Sequence, residues 1–180
     1  MMKLAILDRD GVINYDSPEF VKNPNEWVAL PGSLEAMARL SQAGWRVVIA
    51  SNQSGIGRGL FSMDALNAIH AKLRRELAQA GGVLDAIFMC PHTPDDHCLC
   101  RKPSPGLFHD IARRYDLNLC NVPAIGDSLR DLQAAAAVQC SPWLVLTGNG
   151  EKTLAGGQLP EGTQVVADLS AAVDIWLAGD

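Results

Sequence analysis

Two carboxylates stand two residues apart at the end of a short apolar run, in the string Leu7-Asp8-Arg9-Asp10-Gly11-Val12. One carboxylate so placed can attack phosphorus and form an acyl phosphate, while its neighbour protonates the leaving oxygen and then takes a proton from water. Aspartates at a turn also serve simply to cap it, so the pair needs company. Three further strings supply it. Ser51-Asn52-Gln53-Ser54-Gly55 offers hydroxyl and amide donors with backbone N–H groups suited to a phosphate. Arg101-Lys102-Pro103 adds two cations. Gly126-Asp127-Ser128-Leu129-Arg130-Asp131 adds acids suited to hard oxygen ligation of Mg²⁺, with Asp131 read mainly as a helix N-cap. Phosphoryl transfer asks chiefly for positioning and neutralised charge, which carboxylates and a cation together provide.

A different chemistry is written into Cys90-Pro91-His92 and Cys98-Leu99-Cys100. Three thiols and one imidazole are the donor set of a closed structural zinc site. His97 is a rival ligand, but its place beside Cys98 strains the geometry and favours His92. With all four positions filled by protein, the metal orders the loop rather than activating water. The loop runs directly into Arg101 and Lys102, so ordering it fixes two cations. Such clustering suits a reducing compartment better than a disulfide framework. Cys120 and Cys140 stand apart and read as small packing residues.

These strings must be held by something regular. Short β-rich runs at 3–7, 45–50, 85–89, 122–125, 142–146 and 164–166 alternate with helical stretches at 33–43, 62–80, 105–115, 129–138 and from Ser170 onward. That alternation predicts a doubly wound α/β fold, a mainly parallel sheet flanked by helices. Ser33 and Ser62 read as N-caps, and the Gly148-Asn149-Gly150 and Gly156-Gly157 stretches as a mobile loop. Trp45 and Trp143 read as core, Trp27 and Trp176 as cover for loop or helix contacts, and His70 and His109 as exposed or packed. Each reactive string follows a strand, where open α/β sheets bind their ligands.

At 180 residues the chain suits one domain, residues 1–180, with a proper core. The net charge of −5 speaks against a broad nucleic-acid footprint but not against a small phosphorylated substrate held by a few cations. No apolar run approaches the ~20 residues of a membrane helix, and no signal-peptide pattern opens the sequence. The expectation is a cytoplasmic monomer that binds neither nucleic acid nor membrane.

Taken in order, the four strings resemble the four motifs of the haloacid dehalogenase superfamily of phosphatases, over nearly the whole chain. The resemblance implies a Rossmann-like core of the minimal-cap type. It implies Asp8 as nucleophile, Asp10 as general acid and base, Ser51 binding the phosphoryl group and Lys102 neutralising it. Catalytic Mg²⁺ would then sit on the carboxylates of Asp8 and Asp127 and the backbone carbonyl of Asp10, with Zn²⁺ structural. The zinc loop running into Arg-Lys-Pro is similar to two branches of that superfamily, one acting on heptose bisphosphates and one on histidinol phosphate. The string Asn52 to Gly59 resembles the heptose branch, with Gly57 where that branch more often has alanine; Ser128 replaces a lysine common there. By the same resemblance Asp16, Ser17, Pro18 and Glu19 face the sugar, and Asn52, Gln53 and Ser54 line the substrate site.

Charge separates the two branches. A bisphosphate needs a cation for its remote phosphate, for which Arg101 and Arg58 are candidates. Histidinol phosphate carries an amine and needs an acid, for which Asp16, Glu19, Asp95 and Asp96 are available. The heptose bisphosphate reading is preferred and histidinol phosphate is the alternative. A nucleic-acid 3′-phosphatase shares the Asp-x-Asp pair, but this chain is acidic and has no P-loop. A non-catalytic zinc-stabilised binding module would need a broken catalytic set.

Overall fold

The computed structural model describes residues 2–179. Strand and helix alternate as β1 (Leu4–Leu7), α1 (Ser33–Gln42), β2 (Arg46–Asn52), α2 (Ser54–Gly57), α3 (Met63–Gln79), β3 (Ala86–Cys90), α4 (Gly106–Tyr115), β4 (Pro123–Gly126), α5 (Leu129–Ala137), β5 (Ser141–Val145), α6 (Gly150–Gly156), β6 (Gln164–Val166) and α7 (Leu169–Ala178). The six strands form one sheet in the order β3-β2-β1-β4-β5-β6. Every pair is parallel.

Because side chains alternate across a strand, each buried strand feeds two cores. Ala5 and Leu7, with Val47 and Ile49, pack against Met37, Leu40, Ile69, Leu73, Val173 and Trp176 of α1, α3 and α7. Leu4 and Ile6, with Val48 and Ala50, face Leu107, Phe108, Ile111, Ala134 and Ala135 of α4 and α5. Burying one such aliphatic side chain contributes about 1.5–3 kcal/mol, so the central strands are fixed from both faces.

The register then sets the site. Leu7 lies opposite Ile49 on one side and Ile125 on the other. β1 and β4 therefore end within one residue of each other, and β2 runs three residues further, to Asn52, beside the point where the connections divide between the two faces.

Several local expectations change. Ser33 is the first helical residue rather than a cap: Gly32, at φ 79°, takes the cap position, and the Ser33 hydroxyl donates to the Val12 carbonyl at 2.9 Å. Ser62 does cap α3, accepting from Ala65 N–H at 3.1 Å. The strand β2 runs through Ser51 and Asn52, pairing Asn52 with Cys90, so those residues lie in the strand end and not after it. The stretch read as a mobile loop contains α6, ordered by contacts described below. Trp27 is fully buried and Trp176 packs edge-on to Trp143 at 5.4 Å, so both belong to the core. Cys140 is buried, whereas Cys120 is exposed. His109 is exposed and His70 buried.

Candidate active site

Between β1 and α1 the chain makes a tight turn in which the Arg9 carbonyl accepts from the N–H groups of Val12, Ile13 and Asn14. Gly11 sits in it at φ 83°, and a Cβ there would lie 2.1 Å from Asp127 Oδ2. Only glycine lets this turn close onto the Asp127 carboxylate.

Lys102 is the centre of the arrangement. Its chain is 2 % exposed, and its ammonium donates to the Ala50 carbonyl at 2.7 Å and Asp8 Oδ1 at 3.1 Å, with Asp131 Oδ1 at 2.7 Å. Asn52 fixes its backbone by a reciprocal pair of 3.0 Å bonds, donating to the Lys102 carbonyl and accepting from its N–H. Ser128, not Asp131, is the N-cap of α5; Asp131, three residues on, completes the capping box by accepting from the N–H and hydroxyl of Ser128 through Oδ2. Its other oxygen binds Lys102, so the capping role read from sequence is only half of what it does.

Asp8, Asp127 and Asp131 bring carboxylate oxygens within 4.8 Å of one another. Burial and then repulsion from Asp131 hold the Asp8 carboxyl well above its ordinary range, despite Lys102. The same two causes push Asp127 up to about 7. Burial raises the Asp131 carboxyl, but the Lys102 charge, hydrogen bonds from Lys102 and Ser128 and the Arg130 charge together hold it down. Asp8 and Asp131 thus share one ammonium while Asp127 stands beside them without it, and the set suits a further hard cation.

Asp10 is organised differently. Its Oδ1 accepts from Arg9 Nε at 3.1 Å, Arg9 Nη2 at 2.8 Å and Asn14 Nδ2 at 2.9 Å, while Oδ2 accepts from Gln53 Nε2 at 2.9 Å. Burial alone would raise its pKa; the Arg9 charge and these donors overcome that and lower it. Ser51 is buried behind Gln53, whose amide it accepts at 2.8 Å.

The cleft above these groups has a volume of about 250 Å³. Asp16, Ser17, Asn52, Gln53, Ser54, Arg58 and Arg101 line it together with Asp8, Asp10, Lys102 and Asp127. Ser51, Pro18 and Glu19 are not part of the wall. Phe20, Val21 and Arg130 are, and sequence reading did not select them. Arg58, Arg101 and Arg130 gather at the rim: burial, then repulsion from Arg130 and Arg58, lowers the Arg101 pKa. A repulsive trio of guanidinium groups beside a carboxylate floor suits a ligand with two separated anionic groups.

Asn149 is the other residue the sequence did not reveal. Its N–H and side-chain amide donate to Asp127 Oδ2 at 2.8 and 3.2 Å, and the same amide donates to Asp16 at 3.1 Å. With the Thr153 hydroxyl on the Asp127 carbonyl and the Thr147 hydroxyl on the Gly11 carbonyl, this anchors α6 to the site. No signal in the Gly-rich string pointed there.

The cysteine loop gathers Cys90, His92, Cys98 and Cys100, with His97 outside the set. Cys98 Sγ lies 3.6 Å from Cys90 and 3.7 Å from Cys100, and His92 Nδ1 lies 3.5 and 3.3 Å from Cys90 and Cys100. A tetrahedron built on Zn–S distances of about 2.3 Å and Zn–N of about 2.0 Å has edges close to these, although the Cys90–Cys100 edge, at 2.9 Å, is shorter. The donor set and its shape fit zinc. Gly57 packs against this loop: its N–H donates to the Pro91 carbonyl at 3.0 Å, and a Cβ would come within 2.6 Å of that oxygen.

Two family models match the chain, one described as polynucleotide kinase 3 phosphatase over residues 3–128 and one as HAD-hydrolase-like over residues 99–172. A D-glycero-beta-D-manno-heptose-1,7-bisphosphate 7-phosphatase of Bordetella bronchiseptica is 69% identical over 96% of this chain and 97% of its own. The protein of the same description from Pseudomonas aeruginosa is 52% identical over 97% of each chain. Among solved structures, the D,D-heptose 1,7-bisphosphate phosphatase of B. bronchiseptica complexed with magnesium and phosphate superposes with a TM-score of 0.98, at 67% identity, covering 99% of this chain and all of that one.

Proposed function

The chain belongs to the heptose-1,7-bisphosphate 7-phosphatases of the haloacid dehalogenase superfamily, and from that premise we propose how its residues remove the 7-phosphate of D-glycero-D-manno-heptose 1,7-bisphosphate in making the heptose precursors of lipopolysaccharide. The observation that carries the reading is one cleft with Asp8, Lys102 and Asp127 on its floor and three arginines at its rim. Both relatives have the β configuration in their names, and β is the anomer proposed.

Asp8 attacks phosphorus while the bond from phosphorus to the C7 oxygen breaks. Asp10 gives that oxygen its proton, and the heptose monophosphate leaves. Asp10 then takes a proton from water as its oxygen attacks the phospho-aspartate, and inorganic phosphate departs with Asp8 regenerated. A general acid must first carry a proton, whereas the donors around Asp10 favour its anion. The phosphate dianion arriving beside it acts in the opposite sense and raises its proton affinity.

Lys102 spreads the charge of the transferring group and holds Asp8 in line. Asn52, Gln53 and Ser54 hold the phosphoryl oxygens from the β2 end, and Ser51, buried behind them, accepts from the Gln53 amide and so orients it. Asp16 and Ser17, with Pro18 and Glu19 on the same loop, receive the sugar. Asp8, Asp127 and the Asp10 carbonyl hold Mg²⁺, which when bound neutralises the phosphoryl oxygens and the crowded carboxylates. Cys90, His92, Cys98 and Cys100 hold Zn²⁺, which keeps the loop that delivers Arg101 and Lys102 in place.

Phosphate release from heptose 1,7-bisphosphate and from histidinol phosphate, each with and without Mg²⁺, tests the reading. The expected result is Mg²⁺-dependent turnover with the bisphosphate preferred. A preference for histidinol phosphate would overturn the substrate and leave the mechanism standing.

A further inference from the structure

Behind Asp10, on the side away from the cleft, lies a buried group that the mechanism above does not use. Arg9 is 0 % exposed, an unusual place for a guanidinium unless every face of it is occupied. Two of its N–H groups converge on one oxygen of Asp10. Its remaining arm, Nη1, meets His70 Nε2 at 3.3 Å, from the middle of α3. Burial, then the Arg9 charge itself, lowers the His70 pKa to about 4. The ring is therefore neutral and its Nε2 accepts from Arg9, which leaves the ring proton on Nδ1. His70 lines no part of the cleft.

The consequence falls on Asp10. With Arg9 and Asn14, Oδ1 holds three donors and has no room for a proton; Oδ2 holds only Gln53. We propose that His70 is a positioning residue for proton transfer: it orients Arg9, and Arg9 fixes Asp10 so that Oδ2 alone gives and takes the proton. The inference rests on the role of Asp10 given above. Without the acceptor at position 70, the guanidinium loses the partner that sets its tilt, and its two bonds to Oδ1 lose their fixed direction.

The readout is leaving-group dependence, since kcat/KM covers only the steps up to the phospho-enzyme. A sugar alcohol leaves badly without a proton, whereas p-nitrophenolate leaves well without one. H70L is expected to lower kcat/KM about tenfold on heptose 1,7-bisphosphate and to change it far less on p-nitrophenyl phosphate. H70Q, whose amide oxygen can take the place of Nε2, is expected to recover most of the loss. Equal losses on the two substrates, or wild-type rates in H70L, overturn the proposal, because a merely structural histidine does not discriminate leaving groups. If H70L does not fold, R9K serves instead: it keeps the cation but reaches only one of the two partners, and equal losses there overturn the proposal as well. D10N run alongside separates the premise from the inference. A D10N enzyme with no leaving-group dependence refutes the role of Asp10, while dependence in D10N and none in H70L refutes only the part played by His70.

Discussion

Asp8 and Asp10 are chemically identical side chains two residues apart, and their surroundings shift their pKa values in opposite directions. Asp8 meets one ammonium and two competing carboxylates, while Asp10 is surrounded by donors. Asp8→Asn keeps the shape and removes the attacking anion, so turnover should fall by about 10³-fold or more with the unfolding temperature little changed. Near-wild-type activity in that variant would end the phospho-aspartate mechanism. His70 gives a pH prediction. Its folded pKa, about 4, lies below the ordinary 6.5 of the unfolded chain. Between those values the unfolded state binds the additional proton, so stability rises with pH across the window and is lost as pH falls from about 6.5 to about 4. Thermal unfolding from pH 7 to pH 4.5 should therefore show a shallower loss for H70Q than for the wild type, and parallel curves would mean that the ring is not held neutral.

At the scale of elements, the sheet brings its strand ends to one edge and the loops supply most of the chemistry. Lys102 is placed by two devices at once: Asn52 grips its backbone, and the cysteine loop ends two residues before it. Cys98→Ser removes one thiolate from the zinc set without touching the cleft. The expected outcome is loss of the metal by elemental analysis and a fall in kcat of about ten- to a hundredfold. Zinc-free protein with full activity would show that the loop stands unaided. The helix α6 plays the matching part for Asp127 through Asn149. Asn149→Ala removes the side-chain bonds to Asp127 and Asp16 while keeping the backbone bond. It should weaken Mg²⁺ activation about tenfold, read as the Mg²⁺ concentration for half-maximal rate, and an unchanged value would confine Asn149 to holding the Asp16 loop.

For the whole molecule, net charge is a poor guide to the site. The chain carries −5 overall, yet Arg58, Arg101 and Arg130 converge on one cleft. A partly buried bond between a guanidinium and a phosphate contributes about 1.5–3 kcal/mol. Arg101→Ala should accordingly depress kcat/KM about ten- to a hundredfold on heptose 1,7-bisphosphate. On an aryl phosphate, which has no second anion to lose, the loss should be small. Equal losses would assign Arg101 to the reacting phosphate or to the loop.

What the sequence determined by itself was whatever depends on near neighbours. The order of the strands and of the five longer helices, the carboxylates at strand ends and the four side chains of the Cys–His cluster follow from periodicity and from spacings of a few residues, whereas the short helices α2 and α6 do not. Each cap and boundary that moved did so by one or two residues: Gly32 displaced Ser33, and β2 reached Asn52 because Cys90 was there to pair with it. Tertiary structure alone decided which distant side chains close around those carboxylates. Arg9, between Asp8 and Asp10, is of a type that usually faces solvent, and the approach of His70 from 61 positions away supplies the partner that Asp10 leaves lacking. Asn149 sits in a glycine-rich string without a phosphate motif, and it matters because β5 ends beside β4 and brings it onto Asp127. The physical reason is the same in both cases. A buried charge needs partners on every side, and those partners come from wherever the fold brings a donor or acceptor within about 3 Å, whatever their separation along the chain.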